Sequence, residues 1–158
     1  RHFPVRMQAE RMQARGSVVV DRPPEAAFEY MDVPENQARI SPRLSAVETV
    51  GTFDNGAKHA TYTYRLFGLG FDGEVRGIEH DPPELVTFEL TGDIEGQIRW
   101  AFAPTDGGTR VTYTATYDLG VPAALELLSA PVLNWVNQRE IRRTLENLRT
   151  SVEMSGHS

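Results

Sequence analysis

Val111-Thr112-Tyr113-Thr114-Ala115-Thr116-Tyr117-Asp118-Leu119, followed at once by Gly120-Val121-Pro122, is the stretch on which the fold turns. Val111, Tyr113, Ala115, Tyr117 and Leu119 point one way, while Arg110, Thr112, Thr114, Thr116 and Asp118 point the other, the two-residue period of a strand with one buried face. Gly120-Val121-Pro122 ends that period and opens helical sequence to about Met154, with a break or kink expected at Pro131, where an intrahelical hydrogen bond is lost. Ile141, Leu145, Leu148 and Val152 then recur at helical spacing as one apolar stripe. A sheet therefore hands the chain to one long C-terminal helix.

Upstream of this junction the two-residue period holds from Ala46 to Leu119, with turn signals about every dozen residues, as in an antiparallel meander. Ala46–Gly51 is one strand and Asp54-Asn55-Gly56 a hairpin signal. Lys58–Phe67 alternates Ala60, Tyr62, Tyr64 and Leu66 against His59, Thr61, Thr63 and Arg65, which makes the tyrosine face the buried candidate. Phe71–His80 pairs back, and Asp81-Pro82-Pro83 leads into Leu85–Leu90, with Val86, Phe88 and Leu90 on one side. After the Gly92-Asp93 turn, Ile98, Trp100 and Phe102 share a face, and Asp106-Gly107-Gly108 returns the chain to the opening stretch.

Before the meander, Val18-Val19-Val20 reads as a short strand stopped by Asp21-Arg22-Pro23-Pro24. Pro24 opens a short helix with Ala27, Phe28 and Met31 on its apolar side and Asp21 as the candidate cap. A second short helix starts near Pro34 and stops around Ile40, because Ser41 precedes Pro42. No internal repeat or low-complexity tract breaks the chain, and 158 residues suit one domain. Residues 1–12 are expected to be an N-terminal extension or expression remnant, 13–154 the domain, and 155–158 a tail.

Composition closes several functional classes. With no cysteine, disulfides, thiolate nucleophiles and cysteine-ligated metals are excluded, which suits the cytoplasm. A net charge of −6 opposes nucleic acid and anionic lipid surfaces, and no apolar run reaches membrane-spanning length, so a soluble protein without stable membrane insertion is expected. Gly68-Leu69-Gly70-Phe71-Asp72-Gly73 matches the dinucleotide-binding glycine spacing, but a strand rather than a helix follows it, so a hairpin and a bent strand are the reading. His59 and His80 lack metal-site spacing and are read as surface strand residues, so no metal is expected. Ser41 has no nucleophile elbow, Asp72 and Glu74 are strand neighbours near a turn, and Arg76 lies opposite Val75 on the outer face.

Several phrases resemble the START-like helix-grip superfamily (SRPBCC), in its polyketide cyclase/dehydrase and lipid-transport branch. Asp21-Arg22-Pro23-Pro24-Glu25-Ala26-Ala27-Phe28-Glu29-Tyr30 is similar to its strand-to-helix junction, and Val33-Pro34-Glu35-Asn36 with Ile40-Ser41-Pro42 to its second helix. Glu79-His80-Asp81-Pro82-Pro83-Glu84-Leu85 resembles its strand-turn-strand phrase, Gly107-Gly108-Thr109-Arg110-Val111-Thr112-Tyr113 its last hairpin, and Thr144-Leu145-Glu146-Asn147-Leu148-Arg149 its closing helix. The resemblance spans about residues 15 to 153 and implies an α+β helix-grip fold: a curved antiparallel seven-stranded sheet, in the order β-α-α-β6-α, wrapped around the C-terminal helix. It also implies a cavity beneath that helix, with no shared catalytic motif and no cofactor.

The expected site follows from the inward faces. Tyr62, Tyr64, Trp100, Tyr113 and Tyr117 combine apolar rings with groups that need partners when buried, and Phe71 and Phe88 extend the same apolar surface. Helical phase brings Asn134 and Asn137 onto the inward stripe, adding amides to that volume. These nine residues are the candidate lining for a small hydrophobic or amphipathic ligand such as a lipid, isoprenoid or polyketide-like molecule; a filled core is the plain alternative. A cofactor-independent cyclase or dehydratase, with tyrosine or asparagine orienting the substrate, is the enzymatic alternative. Trp135 falls off the inward stripe and offers an anchor for a regulatory protein contact or a homodimer.

Overall fold

The computed structural model describes residues 11–66, 68–119 and 130–155, with side chains from Gln13 onward apart from those of 66, 117–119 and 130–137. Seven strands form one sheet: β1 (Arg11–Val20), β2 (Leu44–Thr52), β3 (Lys58–Leu66), β4 (Leu69–Asp81), β5 (Leu85–Gly92), β6 (Ile94–Thr105) and β7 (Gly108–Leu119). Among the described residues three helices accompany them: α1 (Pro24–Met31), α2 (Pro34–Ile40) and α3 (Ala130–Ser155). Every neighbouring pair is antiparallel, in the order β1-β7-β6-β5-β4-β3-β2, so the meander closes against the first strand and leaves β1 and β2 as edges. This is the helix-grip arrangement expected from the sequence.

The turns follow their local chemistry. Gly56 takes φ +92° at the Asp54-Asn55-Gly56 turn, a conformation an L side chain resists, and Asn55 Oδ1 accepts the Ala57 N–H at 2.9 Å. The Gly68–Gly73 segment joins β3 to β4, with Leu66 opposite Leu69 and Tyr62 opposite Gly73. At Gly73 a Cβ would fall 2.0 Å from the Thr91 carbonyl oxygen, so the glycine allows β4 to pass close to β5. The glycine spacing thus belongs to a hairpin, and the element that follows it is strand β4 rather than the helix a pyrophosphate would need.

β1 departs from expectation. It runs ten residues rather than three, and pairs with β7 from Arg11 opposite Asp118 to Val20 opposite Thr109. The long partner strand extends it through polar sequence that carries no strand signal of its own. Asp21 does not cap α1: the cap position is Pro23, which has no side-chain cap bond, and the Asp21 N–H donates instead to Glu153 Oε2 at 2.9 Å. Arg22 Nη1 also reaches the Val152 carbonyl oxygen at 3.2 Å, so the α1 approach ties down the end of α3. The described part of α3 runs without interruption from Ala130 through Pro131 to Ser155, and the chain on the other side of the break expected at Pro131 lies outside the described residues. Among the described residues no helix is long and apolar enough to cross a membrane.

The apolar interior has two parts. In one, Ala27, Phe28 and Met31 of α1 pack with Trp100, Phe102, Val111 and Ala115 of the sheet and with Ile141, Leu145, Leu148 and Val152 of α3. In the other, Tyr62, Phe71, Leu90 and Ile94 gather Leu44, Val47, Tyr64 and Leu69 at the β2–β5 side. Val75 and Ile98 touch both, and the space between the two parts is the site described next.

Candidate functional site

A cavity of about 110 Å³ lies between the inner face of the sheet and α3, in an interior where close packing normally leaves few voids larger than a water. Alternation puts Tyr62 and Tyr64 of β3, Val75 of β4, Phe88 and Leu90 of β5, Ile94, Ile98 and Trp100 of β6, and Tyr113 of β7 on its floor. Glu140, Ile141, Thr144 and Leu145 of α3 form the roof, at the spacing of one helix face. Pro34, Gln37 and Ser41 in and after α2 close one side with Leu44 and Val47 of the edge strand.

That side wall is pinned at both ends. Glu35 on α2 accepts the Thr49 N–H at 2.7 Å and the Thr49 hydroxyl at 2.8 Å, and these bonds hold its carboxyl below the ordinary value. From α3, the Asn147 amide donates to the Ile40 carbonyl oxygen at 2.9 Å, satisfying the end of α2. On β2 the register slips between Ser45 and Glu48, and Ala46 takes φ +51°, unusual for a residue with a side chain. This bulge precedes Val47, one of the wall residues.

Besides Gln37, Ser41 and Thr144, polar groups interrupt the apolar lining at Glu140 with Tyr64, at Trp100 and at Tyr62. At the first, Glu140 Oε1 accepts the Tyr64 hydroxyl at 3.0 Å and pairs with Arg43 Nε at 2.8 Å. The Glu140 side chain is 13% exposed and that of Arg43 36%, so the pair leads from the cavity to its rim. Burial raises the Glu140 carboxyl above the ordinary value, against the opposing pull of Tyr64, Arg43 and Arg143. The arrangement can hold a proton, accept a hydrogen bond or offset a ligand's charge. At the second, the Trp100 ring tilts 56° against Tyr113 at a centroid distance of 4.8 Å, and its Nε1 is buried without a hydrogen-bond partner among the described residues. Leaving such a donor unpaired costs about 1–3 kcal/mol. Tyr62 lies deep in the floor, its hydroxyl 3.5 Å from the Ile94 carbonyl oxygen, and burial pushes its pKa up to about 12.

Of the nine candidate residues, Tyr62, Tyr64, Phe88, Trp100 and Tyr113 meet around this one volume. Phe71 is 2% exposed on β4 and packs in the second apolar cluster, outside the cavity lining. The side chains of Tyr117, Asn134, Asn137 and Trp135 lie outside the described residues. Sequence reasoning passed over Glu140, Arg43, Gln37 and Thr144. The available signal was Glu140 itself, an acid one residue before Ile141 and four before Thr144, on the flank of the apolar stripe.

The histidines divide. His59 stays at the surface, 2.9 Å from Glu74, as expected. His80 does not: its side chain is 11% exposed, its Nε2 lies 3.1 Å from both Asp32 oxygens, and its ring meets the edge of Phe28 at 5.3 Å. The loop after α1 covers it, a contact invisible to strand alternation. Arg76 keeps to the outer face, 5.4 Å over the Phe53 ring. Among the described residues no group of three or more histidine, aspartate or glutamate side chains is placed to hold a metal.

With this geometry in place, the sequence matches the model of the family described as polyketide cyclase / dehydrase and lipid transport over residues 11–153. The chain belongs to that family. No curated protein matches it. Solved structures place this polyketide cyclase / dehydrase and lipid transport domain among START-like folds. It is similar to a protein from Thermus thermophilus at 21% identity and TM-score 0.79, covering 93% of this chain and 100% of that one. The Zhui aromatase/cyclase from Streptomyces sp. R1128 is 15% identical at TM-score 0.72, with 90% and 94% covered. A START superfamily protein from Mycobacterium smegmatis is 12% identical at TM-score 0.70, with 90% and 97% covered. At these identities the likeness is one of fold.

Proposed function

We propose that the protein binds a small hydrophobic or amphipathic molecule, of the lipid, isoprenoid or polyketide-like class, in the cavity between sheet and α3. The observation that carries this reading is the cavity's composition: aromatic and aliphatic walls with Glu140, Tyr64 and Arg43 gathered at one end. Ligand sites are typically apolar hollows with a few placed polar groups. Family membership supports the same reading, since the family's description includes lipid transport. The test is native mass spectrometry of protein purified from its own host, followed by extraction. A retained compound that is lost on denaturation is expected, together with saturable binding of 1-anilinonaphthalene-8-sulfonate that the extract displaces. Protein that carries nothing and binds no dye would remove the reading.

One observation favours a second reading, a cofactor-independent cyclase or dehydratase. The Glu140 carboxyl has its proton affinity raised by burial and lies within hydrogen-bond reach of the Tyr64 hydroxyl, a pairing suited to general acid–base work. One solved relative in fold is named an aromatase/cyclase. Faster cyclisation of a poly-β-ketone by wild type than by Glu140→Gln would establish this activity. Equal rates, with or without protein, would leave binding as the function.

A further inference from the structure

On β1, Gly16 faces α3 with no side chain between them. A Cβ there would fall 2.8 Å from Leu145 Cδ1 and 2.9 Å from Ile141 Cγ2, nearer than real Cβ atoms come to a neighbour. Its backbone lies outside the left-handed region, so this glycine supplies space rather than an unusual conformation. Gly73, Gly92 and Gly108 differ, because a Cβ on any of them would meet backbone atoms. At Gly16 the atoms met are the free ends of two side chains, and both side chains also line the cavity. Ile141 and Leu145 stand about one turn apart on α3, each with one edge in the hollow over Gly16 and another on the cavity. Tyr113, the partner of Gly16 on β7, is part of the cavity floor.

We propose that Gly16 sets the size limit of the cavity: the hollow over it takes the ends of Ile141 and Leu145 and so keeps these side chains out of the volume a ligand can fill. The proposal rests on the cavity being a ligand site. A methyl placed at residue 16 leaves two responses, a lift of α3 or a turn of the two side chains. Lifting is opposed on both sides of the contact. Glu140 is held to Arg43 at 2.8 Å and to Tyr64 at 3.0 Å, and Asn147 to the Ile40 carbonyl oxygen at 2.9 Å. Side-chain ends change rotamer at less cost than a helix so held, and the cavity is the open volume next to them. They therefore move into it. Gly16 is a positioning residue, acting through Ile141 and Leu145 on the largest apolar molecule the cavity accepts.

The experiment measures calorimetric affinities for straight-chain alcohols from 1-hexanol to 1-dodecanol. With wild type, affinity should rise about four-fold for each added methylene until the chain fills the cavity, and then stop rising. Gly16→Ala should bind the shortest alcohols as wild type does and reach its limit about one methylene earlier, so that the alcohol at the wild-type limit binds about four-fold more weakly. A general loss of stability would weaken the whole series alike and leave the limit where it was. Leu145→Val withdraws the methyl nearest Gly16 and should accept about one methylene more than wild type, and Gly16→Ala combined with Leu145→Val should restore the wild-type limit. Should Gly16→Ala not fold, the step from Leu145→Val to the double variant reads the same shift. A limit that stays in place, or moves to longer alcohols because the helix lifts, would overturn the proposal while leaving the cavity a ligand site. If wild type binds no alcohol of the series, the ligand-site reading itself fails, and the role of Gly16 with it.

Discussion

The middle and the C-terminal part of α3 face the same sheet and do opposite things. Around Leu148 and Val152, both fully buried, the helix joins the packed core and lies against β1 and the two short helices. Around Thr144 and Glu140, about one and two turns before Leu148, it roofs the cavity beside Tyr62 and Tyr64. Backbone architecture does not separate the two regions, since one helix and one curved sheet serve both. What separates them is side-chain chemistry: aliphatic residues that interdigitate at one end, and rings with polar tips beside a carboxylate at the other. Packing supplies stability where it is complete, and a cavity can be kept only where packing is given up. The division of labour is therefore written along one helix.

The strongest way to break this comparison is to remove what both regions share. Deleting residues 131–158 uncovers Trp100, Phe102 and Val111 together with the cavity floor, and the chain should lose cooperative thermal unfolding altogether. A truncated chain that still melts cooperatively would show that the sheet and short helices hold a core without α3. Next in size is Leu148→Ala, at the filled end. It should cost about 2–5 kcal/mol in urea denaturation, as for aliphatic truncation in a packed core, yet leave dye affinity unchanged in the folded fraction. A dye affinity that falls in step with stability would erase the distinction between the two ends.

The filled region was far more legible in the sequence than the hollow one. Ile141, Leu145, Leu148 and Val152 announce a stripe, and the alternation through Trp100, Phe102, Val111 and Ala115 gives the face that receives it. Both are short-range periodicities. Glu140 and Arg43 meet only because α3 folds back over the start of β2, and no local pattern marks an arginine after Ser41-Pro42 as its partner. Phe71 shows the converse failure: alternation correctly turns it inward but cannot say whether an inward ring meets a neighbour or a cavity. β1 was read too short for a related reason, since its first seven residues become strand by pairing with β7 rather than by their own propensity.

At the hollow end the expected order of effects reverses. Tyr62→Leu removes a ring that lines the cavity and a hydroxyl whose 3.5 Å contact with the Ile94 carbonyl is long. It should cost less than about 1.5 kcal/mol of stability, near the range for tolerated apolar exchanges. Dye affinity should nevertheless fall about ten-fold, a loss of roughly 1.4 kcal/mol in binding. If Tyr62→Leu binds dye normally and instead melts as early as Leu148→Ala, the ring belongs to the filled core, and the boundary between the regions must move.

The smallest expected effect is also the most specific to the cavity wall. Burial holds the Glu140 carboxyl above its ordinary value of 4.5, so the folded chain binds this proton more tightly than the unfolded chain does. The stability such a group contributes is fully present below the unfolded value and is lost as pH rises through the higher folded value. Glu140→Gln cannot titrate, so the stability of wild type minus that of the variant should decline from pH 4.5 upward and level off once the folded carboxyl is ionised. Paired urea series across that range read the decline directly. Arg43 pulls in the opposite direction, favouring the charged carboxylate, so in an Arg43→Met background the same subtraction should fall more steeply and over a window reaching higher pH. A flat difference would mean that Glu140 is solvated like a surface acid. A difference that rises with pH would mean that the Arg43 pair outweighs burial, and the carboxyl would then be a fixed charge rather than a group poised to exchange a proton with what the cavity holds.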